Sequence, residues 1–385
     1  MENQELTPAT LLSHDFAAPE LAERAWSVRW EEHGADPGAL VLDSLPPEID
    51  FHTSGSTGPS QTWRRTREKV WHEAGLLAEL VEQEQPEAVV SFVPTVHLYG
   101  ALTSVLVPAR LGVPAWYRSS FFGAMPDTGR RRVVVVATPW IFTLLLQHMP
   151  WVRELDHVTV LYGGAMLPDT AGQFLKAAGP DKAMIVEVMG STEAGGIATR
   201  RWREGEPPAW SLFRDVTFVG PVTSEEAPLT VTSPRLAYRP GGQPPALWEA
   251  DDHVRVIGDR TFLLTGRRSR LVKVNGRRIN LDQAEQTLRG VLDCADLAVV
   301  PVTDRMIGEH MDLLVVLKPG TELAGLDLST AFARLGVRPR RVHAVPRIER
   351  SELGKLRHLP ASPNDLPSPI DPASPSTPHH PSTQR

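Results

Sequence analysis

The amino-acid sequence predicts an α/β fold: a large N-terminal domain with a mostly parallel β/α sheet and a smaller antiparallel part, followed by a small α+β C-terminal domain. Three observations carry this reading. Short β-branched runs alternate with helix-like runs as far as about Met189, the pattern of strands buried on both faces and linked by crossover helices. From about Gly195 the chain changes to short strands separated by Pro and Gly turns, which suits antiparallel pairing. Beyond Arg267 a new unit begins with its own strand and helix order.

Taken in order, the first segment reads as one helix, Pro19 to Glu32. Between Arg67 and Glu84 the apolar residues Val70, Trp71, Ala74, Leu77, Leu80 and Val81 fall at helical spacing, so one face packs on a core. Ala88 to Pro94 is a strand and Gly100 to Leu111 is helical in composition. Val133 to Ala137 is a buried strand, and the helix after it has Thr138 as N-cap and Pro139 at its first position. Val158 to Leu161 and Ile185 to Met189 are further buried strands, and the antiparallel part ends in Phe262-Leu263-Leu264-Thr265. The small unit reads as strand Leu271 to Val274, a turn at Asn275-Gly276, helix Asp282 to Leu292, strands Leu297 to Pro301 and Asp312 to Leu317, helix Leu328 to Leu335 and strand Arg341 to Val345. The expected domains are therefore 1–267 and 268–359. In 360–385 proline recurs every two to four residues among Ser, Thr and His, a composition too poor in apolar side chains to fold.

Composition narrows the class of function. With 40 Lys and Arg against 46 Asp and Glu the formal charge is -6, so no global basic field holds a nucleic acid by its phosphates. Cys294 is the only cysteine, which excludes an internal disulfide and suits a small buried residue in a reducing compartment. Met1 to Thr10 lacks the basic and apolar regions of a secretion signal. The greasiest run, Val133 to Leu146, is broken by Thr138-Pro139 and falls short of the ~20 residues of a membrane helix. A cytoplasmic protein without a membrane span is expected. His379-His380 in the tail reads as incidental rather than as a metal site.

The chemistry concentrates in a few segments. Thr53-Ser54-Gly55-Ser56-Thr57-Gly58 follows a strand and precedes a helix, and its small hydroxyl and glycine residues let backbone N–H groups close around a polyanion. It is not a Walker A loop, because no Lys-Ser or Lys-Thr follows at the required place. Glu193 follows a strand and the turn Gly190-Ser191-Thr192, which puts its carboxylate at the carboxyl edge of a parallel sheet, where a hard oxygen suits Mg²⁺. The alternative reading of Glu193 is a solvated loop acid. Gly163-Gly164-Ala165 after a strand is ordinary turn punctuation taken alone, as Lys355 after Gly354 is an ordinary surface lysine.

Together these segments resemble the adenylate-forming superfamily of acyl- and aryl-CoA synthetases, luciferases and peptide-synthetase adenylation domains. Thr53 to Gly58 resembles its phosphate loop, Pro94-x-x-His97-x-x-Gly100 a pattern of its CoA ligases, and Gly190-Ser191-Thr192-Glu193 its second signature. Leu264-Thr265-Gly266-Arg267 with Lys273, Gly276 and Arg278-Ile279 resembles the domain junction, and Arg350 to Lys355 the segment of the catalytic lysine. The resemblance implies ATP and Mg²⁺, with Glu193 on the metal and Thr192 on a phosphate. It implies Gly163, Gly164, Ala165 and Met189 beside adenine, Asp252 with Arg267 on the ribose, and His97, Gly164 and Gly190 at the carboxylate pocket. Asp252 lies fifteen positions before Arg267, with Asp251 its rival because Ala250-Asp251 replaces the usual Thr-Gly. Lys355 is implied to meet the charge that develops on the α-phosphate.

Departures accompany the match. Gln61 occupies the place of the loop's lysine, Met189 that of an aromatic residue, and Ser269 that of the hinge Asp or Lys. The segment before Thr53 is much shorter than in the enzymes it resembles. The resulting expectation is a ligase that converts a carboxylic acid to an acyl-adenylate with release of pyrophosphate. It then passes the acyl group to a phosphopantetheine thiol, on CoA or an acyl carrier protein. The short N-terminal segment and the clusters Arg130-Arg131-Arg132, Arg267 to Arg270 and Arg338 with Arg340-Arg341 favour a carrier protein. A non-catalytic nucleotide- or acyl-binding descendant is the alternative, and a scaffold protein fits the tail but not the motifs. Deleting 360–385 is expected to leave the melting temperature unchanged, as measured by differential scanning calorimetry. A loss of several degrees would show that this segment docks.

Overall fold

The computed structural model describes residues 4–34, 36–53, 61–119, 123–220, 225–274, 277–304, 308–350 and 356. The expected turn Asn275-Gly276 and the tail 360–385 lie outside them. The chain divides into two compact units: one runs to Thr265 and also takes Arg350 and Leu356, and the other runs from Gly266 to Glu349.

In the first unit an edge pair, β1 (Gln4–Leu6) and β2 (Trp26–Val28), is followed by a separate hairpin of β3 (Glu48–Thr53) and β4 (Gln61–Thr66). Five strands then make a parallel block: β5 (Ala88–Ser91), β6 (Ala115–Tyr117), β7 (Arg132–Ala137), β8 (His157–Gly163) and β9 (Ala183–Ser191). Their spatial order is β6-β5-β7-β8-β9, each neighbouring pair parallel. Side-chain alternation splits these strands between two cores. Val133, Val135 and Ala137 of β7 join Phe142, Tyr162 and Phe174, whereas Val134 and Val136 join Leu77, Leu102 and Leu161. Both faces are apolar because helices cover both. Helix Arg67–Glu82, capped by the Thr66 hydroxyl, buries Val70, Trp71, Ala74, Leu77 and Val81 on one side, with Leu80 partly buried. Helices Pro139–Gln147 and Asp169–Ala178 cover the other. Thr138 and Pro139 hold the expected N-cap and first positions, although the Thr138 hydroxyl makes no cap hydrogen bond.

After β9 the sheet turns antiparallel through β10 (Gly195–Trp202), β11 (Trp210–Leu212), β12 (Thr217–Phe218), β13 (Glu226–Thr232), β14 (Trp248–Gly258) and β15 (Thr261–Arg267). These extend the block to a 13-stranded sheet, continuing as β9-β10-β11-β15-β14-β13-β12.

Two early expectations change. Pro19 to Glu32 is not one helix: only Pro19–Ala22 is α-helical, Trp26–Val28 is β2, parallel to β1 and antiparallel to β6, and Trp30–Glu32 is a single 3₁₀ turn. Trp26 stacks on Tyr117 with ring centroids 5.2 Å apart, and its indole N–H donates to the Leu21 carbonyl at 3.0 Å. A strand slot at the sheet edge outweighs the local helical pattern. The helix expected at Gly100 to Leu111 spans Leu98 to Leu111 but widens to π geometry over Ala101–Leu106, just before Pro108, which has no N–H to donate.

The second unit is an α+β assembly. β16 (Leu271–Val274) pairs with β17 (Arg277–Asn280), a strand the sequence pattern did not reveal, and Asn280 Oδ1 then caps helix Leu281–Arg289. β18 (Asp296–Asp304) and β19 (Gly308–Val316) are antiparallel, helix Leu328–Leu335 follows, and β20 (Val342–Ala344) returns parallel to β19. Val272, Val274, Leu281 and Leu288 pack with Leu297, Val299, Leu313 and Val315. Cys294 is half-buried rather than buried, and desolvation pushes its thiol pKa up. Among the described residues no helix is long and apolar enough to cross a membrane. Trp26→Ala is expected to destabilise the first unit by about 3–5 kcal/mol, read as a lower urea midpoint; a loss below about 1 kcal/mol would contradict the buried strand placement.

Candidate active site

Three loops at the carboxyl ends of β5, β8 and β9 carry the motif residues, the edge at which open parallel sheets bind ligands. After β5, Pro94 to Gly100 forms a corner in which Gly100 passes under the Pro94 carbonyl, where an added Cβ would lie 1.8 Å from that oxygen. The Thr95 hydroxyl anchors the corner by donating to the Phe16 carbonyl at 2.6 Å. His97 is half-buried at the start of the helix that begins at Leu98. Tyr99 links this loop to the next: its hydroxyl donates to Leu161 O at 3.0 Å, and its ring lies 3.1 Å from where a Cβ on Gly163 would sit. Gly164 takes φ +87°, and Gly164 and Ala165 are half-buried.

Met189 is half-buried at the end of β9, and Gly190 beyond it crosses closely on Gly195. A Cβ on Gly190 would lie 2.3 Å from Gly195 O. This crossing closes a tight turn, Thr192 to Ala194, in which the Ser191 hydroxyl accepts from Ala194 N at 3.1 Å. Thr192 and Glu193 stand half-buried in that turn.

Beneath the turn lies a charge cluster that the sequence reading missed. Glu73, on the buried face of helix Arg67–Glu82, sits between Arg65 and Arg235, all three with side chains no more than 3% exposed. Glu73 Oε2 accepts from Arg65 at 3.3 Å, its Oε1 accepts from Gly196 N at 2.7 Å, and Arg235 approaches Oε1 to 3.3 Å. Arg235 also donates to both Asp215 oxygens, at 2.7 and 2.9 Å, and to Gly196 O at 2.7 Å. Arg65 donates to Thr192 O at 3.0 Å and to the Arg235 carbonyl. Burial lowers the Arg65 pKa, opposed by the carboxylates of Glu73 and Glu193, whereas for Arg235 burial is outweighed by Glu73 and Asp215 and its pKa rises. One signal was available: an acid in the middle of the apolar stripe Val70, Ala74 and Leu77 must find buried cations.

Other candidates belong to other elements or lie outside the described residues. Thr53 ends β3 opposite Gln61, and its hydroxyl accepts from Gln61 N at 3.3 Å. The Gln61 side-chain oxygen accepts from Arg239, whose guanidinium lies 4.0 Å over the Trp63 ring. Ser54, Gly55, Ser56, Thr57, Gly58, Gly276 and Lys355 are outside the described residues. Asp252 is half-buried in β14, whereas its rival Asp251 is exposed. Arg267 ends β15, and Lys273 is exposed on β16, with its backbone N–H donating to Glu309 at 2.8 Å.

The arginine clusters are largely occupied. Arg130 and Arg131 pair with Glu31 and Asp156, and Arg132 donates to Glu84 O at 2.7 Å. Arg270 is buried against Asp282 and Glu285, and Arg340 grips the buried Asp312 at 2.7 Å beside His343. The charge argument for an acidic carrier protein therefore loses Arg270 and Arg340, which hold the fold.

Among the described residues no group of three or more His, Cys, Asp or Glu forms a metal cage. Gly190→Ala is expected to displace the Thr192–Glu193 turn and lower the melting temperature by at least about 2 °C. Gly34→Ala, whose methyl would meet nothing within 4 Å, is expected to leave it unchanged by the same circular-dichroism melt.

Residues 49–244, just over half of the chain, match the family model of AMP-binding enzymes. The 4-coumarate–CoA ligase of Cereibacter sphaeroides is 26% identical over 317 residues, covering 80% of this chain and 69% of that protein. The 4-coumarate–CoA ligase of Rhodobacter capsulatus is 26% identical over 319 residues, covering 81% of this chain and 73% of that one. The crystal structure of ATP-bound MatB from Rhodopseudomonas palustris shares the fold, with a TM-score of 0.61 at 18% identity. The match covers 80% of this chain and 66% of MatB, just under two thirds of its length. The matched stretch holds the β5, β8 and β9 loops and the buried cluster beneath them, and the chain belongs to the AMP-binding enzyme family, within the adenylate-forming superfamily.

Proposed function

We propose that this chain activates a carboxylic acid with MgATP in the cytoplasm and transfers the acyl group to a phosphopantetheine thiol. The observation that carries the reading is the meeting of the Pro94–Gly100, Gly163–Ala165 and Gly190–Glu193 loops at one edge of a parallel sheet. There the glycines at 163 and 190 let Tyr99 and the Gly195 carbonyl pack directly on the backbone, which holds the three loops together.

In the first half-reaction a carboxylate oxygen attacks the α-phosphorus, the bond to the bridging oxygen of the β-phosphate breaks, and pyrophosphate leaves. Thr53 to Gly58 hold the outer phosphates and Thr192 donates to a phosphate oxygen. Glu193, a single carboxylate on a rigid turn, fits a cation that arrives on the nucleotide and keeps water and phosphate as its other ligands. Bound there, Mg²⁺ would neutralise phosphate charge as pyrophosphate departs. Asp252 accepts from the ribose hydroxyls with Arg267 in support, Met189 lies along the adenine, and Lys273 serves the nucleotide. His97 and Gly164 border the acid. Lys355 brings a compact ammonium to the charge developing on the α-phosphate.

In the second half-reaction the thiol sulfur attacks the acyl carbon, the bond to AMP breaks, and the thiol proton passes to solvent. Residues 268–359 move about Ser269 between the two steps, one site thus serving both reactions. The names of the two 4-coumarate–CoA ligases make 4-coumarate and CoA the first pair to test, before other aryl and medium-chain acids and carrier proteins.

The decisive experiment is pyrophosphate exchange into ATP over a panel of acids. Exchange is expected only with Mg²⁺ and a suitable acid, and Lys355→Ala is expected to slow it at least about a hundredfold while MgATP still binds. Binding of MgATP without exchange on any acid would instead identify a nucleotide-binding descendant, and unchanged exchange in Lys355→Ala would remove that lysine from the chemistry.

A further inference from the structure

We infer that Arg65 is a positioning residue for the cation site. It fixes the Thr192–Glu193 turn to β4, the strand that follows the phosphate loop, with Glu73 and Arg235 completing the clamp. The inference deepens the proposed function and rests on the assignment of Glu193 to Mg²⁺.

The backbone of this turn has little freedom left. Thr192 O accepts from Arg65 at 3.0 Å, Glu193 O accepts from Ala237 N at 2.8 Å, and Ala194 N donates to Ser191 Oγ at 3.1 Å. Gly196 is held at both ends, its N–H by Glu73 and its carbonyl by Arg235, each at 2.7 Å. Gly195, at φ +75°, passes so close that an added Cβ would lie 2.5 Å from Glu73 Oε2. With the peptide groups on either side of it pinned, Glu193 can present its carboxylate only over the range of its own rotamers.

Arg65 is the member that joins separate elements. Its Nη2 reaches the turn, while its Nη1 reaches Glu73 on the helix and the carbonyl of Arg235. A planar guanidinium holds such bonds in fixed relative directions, which an ammonium on a flexible stem does not. Apolar side chains of the same volume commonly serve stability as well as a buried ion cluster does, so geometric specification is the property the cluster adds. The electrostatic coupling between Glu193 and Arg65 agrees with this: the glutamate favours the charged guanidinium, so the two charges lie close enough to feel each other.

The test compares binding of ATP in EDTA with binding of ATP in excess MgCl₂, by isothermal titration calorimetry on the full chain. In the wild type, Mg²⁺ is expected to tighten binding, and Glu193→Gln is expected to abolish that advantage. Arg65→Met and Arg65→Lys are expected to cut the advantage at least about fivefold, while metal-free ATP affinity falls by a smaller factor through the Thr192 contact alone. Glu73→Gln, which keeps an acceptor for Gly196, is read in the same way and covers the case in which Arg65→Met does not fold. A lowered melting temperature with the full Mg²⁺ advantage in the variants that fold would mark the cluster as merely structural and overturn the inference. If Glu193→Gln itself keeps the advantage, the assignment of Glu193 fails and the inference with it. If Glu193→Gln loses it while the Arg65 and Glu73 variants keep it, only the positioning role fails.

Discussion

Glu73 is a carboxylate carried on the apolar face of a helix, and its need for buried partners draws four parts of the first unit to one place. Arg65 comes from β4, Arg235 from the segment after β13, and Gly196 from β10, while Asp215 balances the second guanidinium. Two cations and two anions leave the cluster neutral. Its internal hydrogen bonds and ion pairs replace much of the hydration these groups lose, and removing any one partner would strand a charge, a loss of about 3–5 kcal/mol. The Thr192–Glu193 turn is thus held from below by groups that cannot relax singly.

The sheet determines where that turn lies. β6 and β7 flank β5 on opposite sides, so the chain runs outward in both directions from β5 and makes its carboxyl end the switch point at which such sheets bind ligands. The Pro94–Gly100 corner opens there, Tyr99 closes it against Gly163, and the β9–β10 turn stands where the parallel block gives way to antiparallel pairing. Glycine is required at 100 and 190 by contact rather than by torsion, because the facing atom is a backbone carbonyl that cannot swing aside.

What the sequence made legible follows from how local each signal is. The valine runs of β7 and β8 and the helical spacing from Val70 to Val81 are local patterns, and they appear in the structure as read. The glycine-bearing turns were legible for the same reason: a missing side chain at a strand end is a local feature with one structural use. Trp26 to Val28 was misread because its strand character comes from β1 and β6, both remote in sequence. The clamp was invisible for a related reason: Arg65 and Arg235 are 170 residues apart, and neither sits in a motif. Counting arginines also misled, since Arg340 looked like part of a surface patch until its guanidinium was found on Asp312, a side chain with no exposure.

The second unit solves a similar problem in the same way. Arg270 follows Ser269 directly, and its guanidinium donates to Asp282 at 2.8 Å, to Val299 O at 2.6 Å and to Glu285, whose carboxylate also accepts from Val299 N at 3.0 Å. It thereby ties the 3₁₀ turn before β16 to both the helix and β18, much as Arg65 ties the β9–β10 turn to β4 and a helix. In each case the segment that must keep its shape is short and polar, with too little apolar surface to be fixed by packing. A buried guanidinium offers several donors in a rigid plane, and placing one beside such a segment fixes it without filling the space a ligand or a moving backbone requires.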